Sequence, residues 1–115
     1  MLNRKLFATF FLLFTCNLQA ASLQGKVINV ADGDTITVLD THKNQHKIRL
    51  QGIDAPEKSQ PYGQKSKQSL YQLVHSQMVS IEFQNKDKYG RIVGKVILNG
   101  NDICFEQIKL GMAWH

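Results

Sequence analysis

Residues 24–50 read Q-G-K-V-I-N-V-A-D-G-D-T-I-T-V-L-D-T-H-K-N-Q-H-K-I-R-L, and this stretch decides the fold. Gln24 to Ala31 carries Val27, Ile28 and Val30 and predicts a strand. It is ended by the turn Asp32-Gly33-Asp34, where Gly33 is expected to supply a positive φ. Thr35 to Leu39 is β-branched with alternating polarity, a second strand. Asp40 to Gln45 is polar and makes the next turn. Alternation resumes from Gln45 to Leu50, with Ile48 and Leu50 on one face and Lys47 and Arg49 on the other.

Downstream the pattern changes twice. Gly52 to Pro61 is irregular. From Tyr62 to about His75, Leu70, Leu73 and Val74 fall three and four apart, which predicts a helix. Met78 to Phe83 is a fourth strand, Gln84 to Arg91 a polar loop and Ile92 to Leu98 a fifth strand. Asn99-Gly100 is a turn, and Asp102 is placed to cap a second helix whose apolar stripe is Phe105, Ile108 and Met112. This order gives a mainly β chain with helices (α+β). It favours a five-stranded Greek-key barrel of the OB type, with a helix between the third and fourth strands. A split α+β sandwich is the alternative.

The chain has 115 residues, 43% of them apolar, which is enough for one packed domain and too much for a disordered chain. Arg4 and Lys5 precede the apolar run Leu6 to Phe14, and Ala20 follows; this predicts a secretory signal peptide over residues 1–20. A lipoprotein acylated at Cys16 is the rival reading. Secretion or export to the periplasm follows for the domain at 21–115, as a monomer with no membrane segment and no stable protein partner. Loss of Arg4 and Lys5 lowers the net charge from +5 to +3, and loss of Cys16 leaves Cys104 alone, so no internal disulfide forms. Cys104 reads as a buried free thiol, Tyr62, Tyr71 and Trp114 as packing residues, and the four histidines show no metal-ligand spacing.

Four segments hold the chemistry-bearing residues. Asp34 ends one strand pairing and Asp54 follows the third strand, so a curled sheet can bring both carboxylates to one rim. Two carboxylates with a backbone carbonyl and waters make a hard-oxygen site suited to Ca²⁺. Glu57 lies three residues past Asp54 on a loop stiffened by Pro56, while Arg49 and Arg91 offer planar forks for phosphate oxygens. Singly, each segment has a plain structural explanation. Together they are the parts needed for hydrolysis of a phosphodiester.

The ordered series D-G-D-T (32–35), I-R-L (48–50), G-I-D-A-P-E (52–57), Q-P-Y-G (60–63), D-K-Y-G-R (87–91) and I-K-L-G-M-A-W (108–114) resembles the thermonuclease (staphylococcal nuclease-like) family. The resemblance implies an OB-fold barrel and a Ca²⁺-dependent phosphodiesterase that cuts DNA and RNA to 3′-phosphate ends. By motif, Asp34 and Asp54 match the calcium carboxylates and the Ala55 carbonyl a third ligand. Arg49 and Arg91 match the catalytic arginines. Glu57 matches the carboxylate that orients or deprotonates the attacking water. Lys88 and Tyr89 match contacts to a terminal phosphate, and Asp32 lies close behind the metal. Family members continue past the position of Trp114 with a tyrosine-bearing loop and a third helix, so a C-terminally truncated domain without that helix is expected. Two other functions remain open: a non-catalytic OB module binding nucleic acid through Lys65, Lys67, Lys86, Lys88 and Lys95, or an inactive truncated fragment.

Overall fold

A computed structural model describes residues 21–115. The signal peptide expected over residues 1–20, and Cys16 with it, lies outside the described residues. The elements are β1 (Ala21–Asp32), β2 (Thr35–Leu39), β3 (Gln45–Leu50), α1 (Gly63–Val74), β4 (Met78–Lys86), β5 (Ile92–Leu98), β6 (Asn101–Asp102) and α2 (Ile103–Lys109).

β1 serves two walls. Its first half, Ala21 to Lys26, pairs antiparallel with β4, and Lys26 to Asp32 pairs with β2. Register breaks between Val27 and Asn29 and between Val30 and Asp32 bend the strand, which is how one strand turns a barrel corner. β2 pairs with β3, and β4 with β5. A parallel seam between β3 and β5, with Ile48 opposite Ile92 and Leu50 opposite Gly94, closes a five-stranded barrel. This is the OB-type Greek key anticipated above, with α1 between β3 and β4.

Inward positions of the strands are filled by Val27, Ile36, Val38, Ile48, Leu50, Ile81 and Val96, all fully or nearly fully buried. Leu70 and Val74 of α1, four residues apart, and Ile103 of α2 join the same core. Between β2 and β3, the Asp40 carboxylate accepts the backbone N–H groups of His42 and Asn44 and the ring nitrogen of His46, at 2.8, 2.9 and 2.8 Å. These bonds, the His46 contact first, hold the Asp40 pKa below the ordinary carboxylate value.

Several local expectations need correction. β1 begins at Ala21 and β4 runs to Lys86, because cross-strand pairing (Ala21 with Phe83, Lys86 with Ile92) extends both past their apolar runs. Asp102 caps α2 as expected, accepting the N–H groups of Cys104 and Phe105 at 2.9 and 3.3 Å. That cap sets the phase of the helix, however, and turns Ile103, Cys104 and Gln107 inward. Phe105 is exposed, Ile108 only partly buried, and Met112 lies beyond the helix. Tyr62 and Trp114 are 70% and 54% exposed, so neither is a packing residue. Tyr71 is also exposed and stacks on His75, with ring centres 4.1 Å apart. Gly33 is not in the left-handed region; it is glycine because of space.

Candidate active site

The turn after β1 and the loop after β3 meet at one rim of the barrel. The Asp34 N-terminal neighbourhood is tight: its main-chain carbonyl accepts Leu50 N–H at 2.8 Å, tying the turn to the end of β3. Its buried carboxylate accepts the Thr35 hydroxyl at 2.9 Å on Oδ1 and the Ala55 N–H at 2.9 Å on Oδ2. Asp54 is fixed by its backbone, which exchanges two 2.8 Å hydrogen bonds with Trp114, while its side chain is 63% exposed.

Arg49 joins the two acids. One terminal guanidinium nitrogen lies 3.3 Å from Asp34 Oδ2 and 2.5 Å from Asp54 Oδ1. The other donates to the carbonyls of Leu50 and Ile53 at 3.0 and 2.8 Å. A single cationic nitrogen therefore occupies the point on which two carboxylates converge. Such a pair of hard oxygen donors fits a divalent cation. Among the described residues no group of three or more His, Cys, Asp or Glu side chains forms a metal cluster, so any such cation would rest on this pair, backbone carbonyl and water.

Arg91 lies across the β3–β5 seam. It precedes Ile92, and Val93 is the register partner of Arg49, so the two arginines share the outer face of one wall. Arg91 Nε donates to Asp87 Oδ2 at 2.7 Å, and its guanidinium lies 5.3 Å from the centre of the Tyr89 ring. Lys88 lies 5.2 Å from that same centre, so exposed Lys88 and Tyr89 and half-buried Arg91 form one cluster. Asp87 organises the loop. Its Oδ1 accepts the N–H groups of Tyr89 and Arg91, both at 2.9 Å.

Burial opposes the Asp87 charge, but the bonds from Arg91 backbone and side chain and from Tyr89 together outweigh it and lower the pKa. A depressed folded-state value means stabilisation that is present above the ordinary value of 3.8 and lost as pH falls through the lower one. The Tyr89 and Arg91 amides should accordingly keep their protection from exchange at pH 5 and lose it well below pH 3.8, whereas in Asp87→Asn the step disappears. Amide-resolved exchange across that range checks both.

Glu57 is exposed on the loop between β3 and α1, and its N–H donates to Gln60 Oε1 at 2.7 Å. The loop rests on the start of α1: a Cβ on Gly63 would lie 1.8 Å from the Glu57 carbonyl oxygen, so only glycine allows this approach. Asp32 is half-buried at the end of β1, two residues from Asp34. Arg49 thus touches both Asp34 and Asp54, and Asp34 touches Ala55. Lys88, Tyr89 and Arg91 form a second group, which the β3–β5 seam connects to the Arg49 strand, and no hydrogen bond joins the Glu57 carboxylate to either group among the described residues. Cys104 is a buried free thiol, and burial pushes its pKa up to about 11, which removes it as a nucleophile at neutral pH.

Gln107 lies in none of the sequence motifs. It is fully buried, and its amide donates to the Gly33 carbonyl at 2.9 Å and the Ser66 carbonyl at 3.2 Å, while accepting the Ser69 hydroxyl at 2.6 Å. Ser66, also fully buried, donates to the Met112 carbonyl at 2.6 Å. A helix phase read from the Asp102 cap rather than from the apolar spacing would have exposed Gln107 as a polar residue facing inward.

The family model for staphylococcal nuclease homologues matches residues 47–115, more than half of the chain. The chain belongs to this family. A protein of Haemophilus influenzae named an uncharacterized endonuclease is 42% identical over 117 residues, covering 99% of this staphylococcal nuclease homologue and 66% of the relative. One of Escherichia coli with the same name is 38% identical over 112 residues, covering 96% and 72% respectively. The chain therefore spans about two thirds of the length of these relatives.

Proposed function

We propose that this staphylococcal nuclease homologue is an exported, monomeric, calcium-dependent nuclease that hydrolyses DNA and RNA to 3′-phosphate products. The observation that carries this reading is the convergence of Asp34 and Asp54 on one point, held in this structure by the Arg49 guanidinium, with Arg91 across the β3–β5 seam from Arg49. Asp34, Asp54 and the Ala55 carbonyl would hold Ca²⁺, with Asp32 behind them. When bound, the ion supplies charge that stabilises the phosphorane-like transition state. Arg91 grips the non-bridging phosphate oxygens, whose negative charge grows as water attacks, and Arg49, which a bound ion would displace from Asp34 and Asp54, would join it there. Glu57 orients that water and accepts its proton. The new P–O bond forms as the bond to the 5′-oxygen breaks, and the leaving oxygen takes a proton from solvent water to end as a hydroxyl. Lys88 and Tyr89 receive a neighbouring phosphate.

Digestion of labelled DNA and RNA with calcium should give 3′-phosphate ends, and excess chelator should reduce the rate to background. Salt-dependent binding without any cleavage would replace this reading with the binding module. Export is checked by N-terminal sequencing of the protein recovered outside the cytoplasm, expected to start at Ala21.

A further inference from the structure

We infer that Gln107 is a positioning residue that sets the separation of the two metal carboxylates; the inference rests on the calcium reading of the site. Both acids are held from the last nine residues of the chain. The Asp34 turn is held through the Gly33 carbonyl by Gln107 Nε2, and Asp54 is held through its backbone by Trp114. Gly33 and Asp34 stand outside the β1–β2 ladder; the bond from Leu50 N–H holds the Asp34 carbonyl, and the Gly33 carbonyl is left to Gln107.

The amide is specific for this task. Its two N–H groups meet the carbonyls of Gly33 and Ser66, its oxygen meets the Ser69 hydroxyl, and no other side chain of that length supplies two donors and an acceptor in one plane. An apolar substitute of equal volume leaves the Gly33 carbonyl, one residue from the metal carboxylate, buried without a donor. Such a group seeks water or rotates. Either response swings Asp34 away from Asp54, and with it the Asp34 carbonyl that binds Leu50 N–H and the carboxylate that binds Ala55 N–H.

The test separates position from packing. Calcium affinity is measured by calorimetry, at a temperature where far-UV circular dichroism shows each variant folded. Gln107→Met is expected to weaken calcium binding at least tenfold and to speed amide exchange at Leu50 and Ala55. Cys104→Ala, which loosens α2 against the barrel without touching the turn, is expected to lower the melting temperature while keeping calcium affinity within twofold. If Gln107→Met does not fold, Gln107→Asn, whose amide is drawn back by one methylene, carries the same test with an expected fivefold loss. Calcium affinity within twofold of wild type in the folded Gln107 variant overturns the role of Gln107 alone, as does an equal loss in Cys104→Ala. A wild-type protein that takes up no calcium overturns the calcium reading and this role with it.

Discussion

Arg91→Ala should keep the fold and lower kcat on the order of 10³-fold, whereas Arg49→Ala should lose comparable rate yet bind calcium at least as tightly as wild type. The two arginines are spent differently. Arg49 uses both terminal nitrogens on the protein, two contacts to carboxylates and two to carbonyls. Arg91 uses Nε on Asp87, and among the described residues its terminal nitrogens make no hydrogen bond, so its fork is open to a phosphate. Removing Arg91 costs the transition state a bidentate contact while the core is untouched. Removing Arg49 also deletes the cation that Asp34 and Asp54 share, so a metal ion no longer competes with it for those oxygens. Lysine should restore little at position 91, since a point charge does not reproduce two parallel N–H donors. Steady-state kinetics on a defined oligonucleotide, with calcium titrations of the same preparations, distinguish the cases. A calcium affinity that collapses in Arg49→Ala would mean that the guanidinium organises the acids rather than competing for them.

The barrel was legible because its strands alternate and its turns are polar. Val27, Ile36, Ile48 and Val96 all face inward, and burial follows parity in β3 and in the buried half of β5, whereas the bulges of β1 and the buried run Thr35 to Val38 of β2 depart from it. Of the candidate site, the ordered motifs were legible, and the β3–β5 seam sets two of them, I-R-L and the end of D-K-Y-G-R, side by side. What could not be read are the properties set by contacts across long sequence separation. α2 takes its phase from a cap and from Gln107, which reaches back to Gly33, so apolar spacing within the helix pointed to the wrong face. The exposure of Tyr62 and Trp114 depends on what lies opposite them in space, which residue type does not reveal. Asp-Gly-Asp between strands usually marks a conformational glycine, and nothing local at Gly33 says otherwise. Its true constraint comes from a helix more than thirty residues further along.

That constraint gives the largest expected loss of stability. A Cβ at Gly33 would lie 1.7 Å from Ser66 Oγ, 2.8 Å from Ser66 Cβ and 2.9 Å from Ala55 Cβ. Ser66 has no flexible end to withdraw. Its hydroxyl is fixed on the Met112 carbonyl at 2.6 Å and its Cβ moves only with α1. Gly33→Ala must therefore push α1 from the turn or the turn from α1, and the second choice also breaks the Gln107 bond and displaces Asp34. Overpacking of this kind costs about 3 kcal/mol, at the upper end of the usual range. That is a large share of the ~5–15 kcal/mol of a small domain. Urea unfolding should show a lower midpoint with an unchanged slope, and nuclease activity should fall in the fraction that remains folded. Gly33→Ala combined with Ser66→Gly should recover part of the midpoint, because the worst contacts are gone. Recovery stays incomplete, since Ala55 Cβ is still close and a glycine inside α1 costs about 1 kcal/mol of helix propensity. A Gly33→Ala protein as stable as wild type would show that α1 and the turn are free to separate, and then no helix could be positioning the acids.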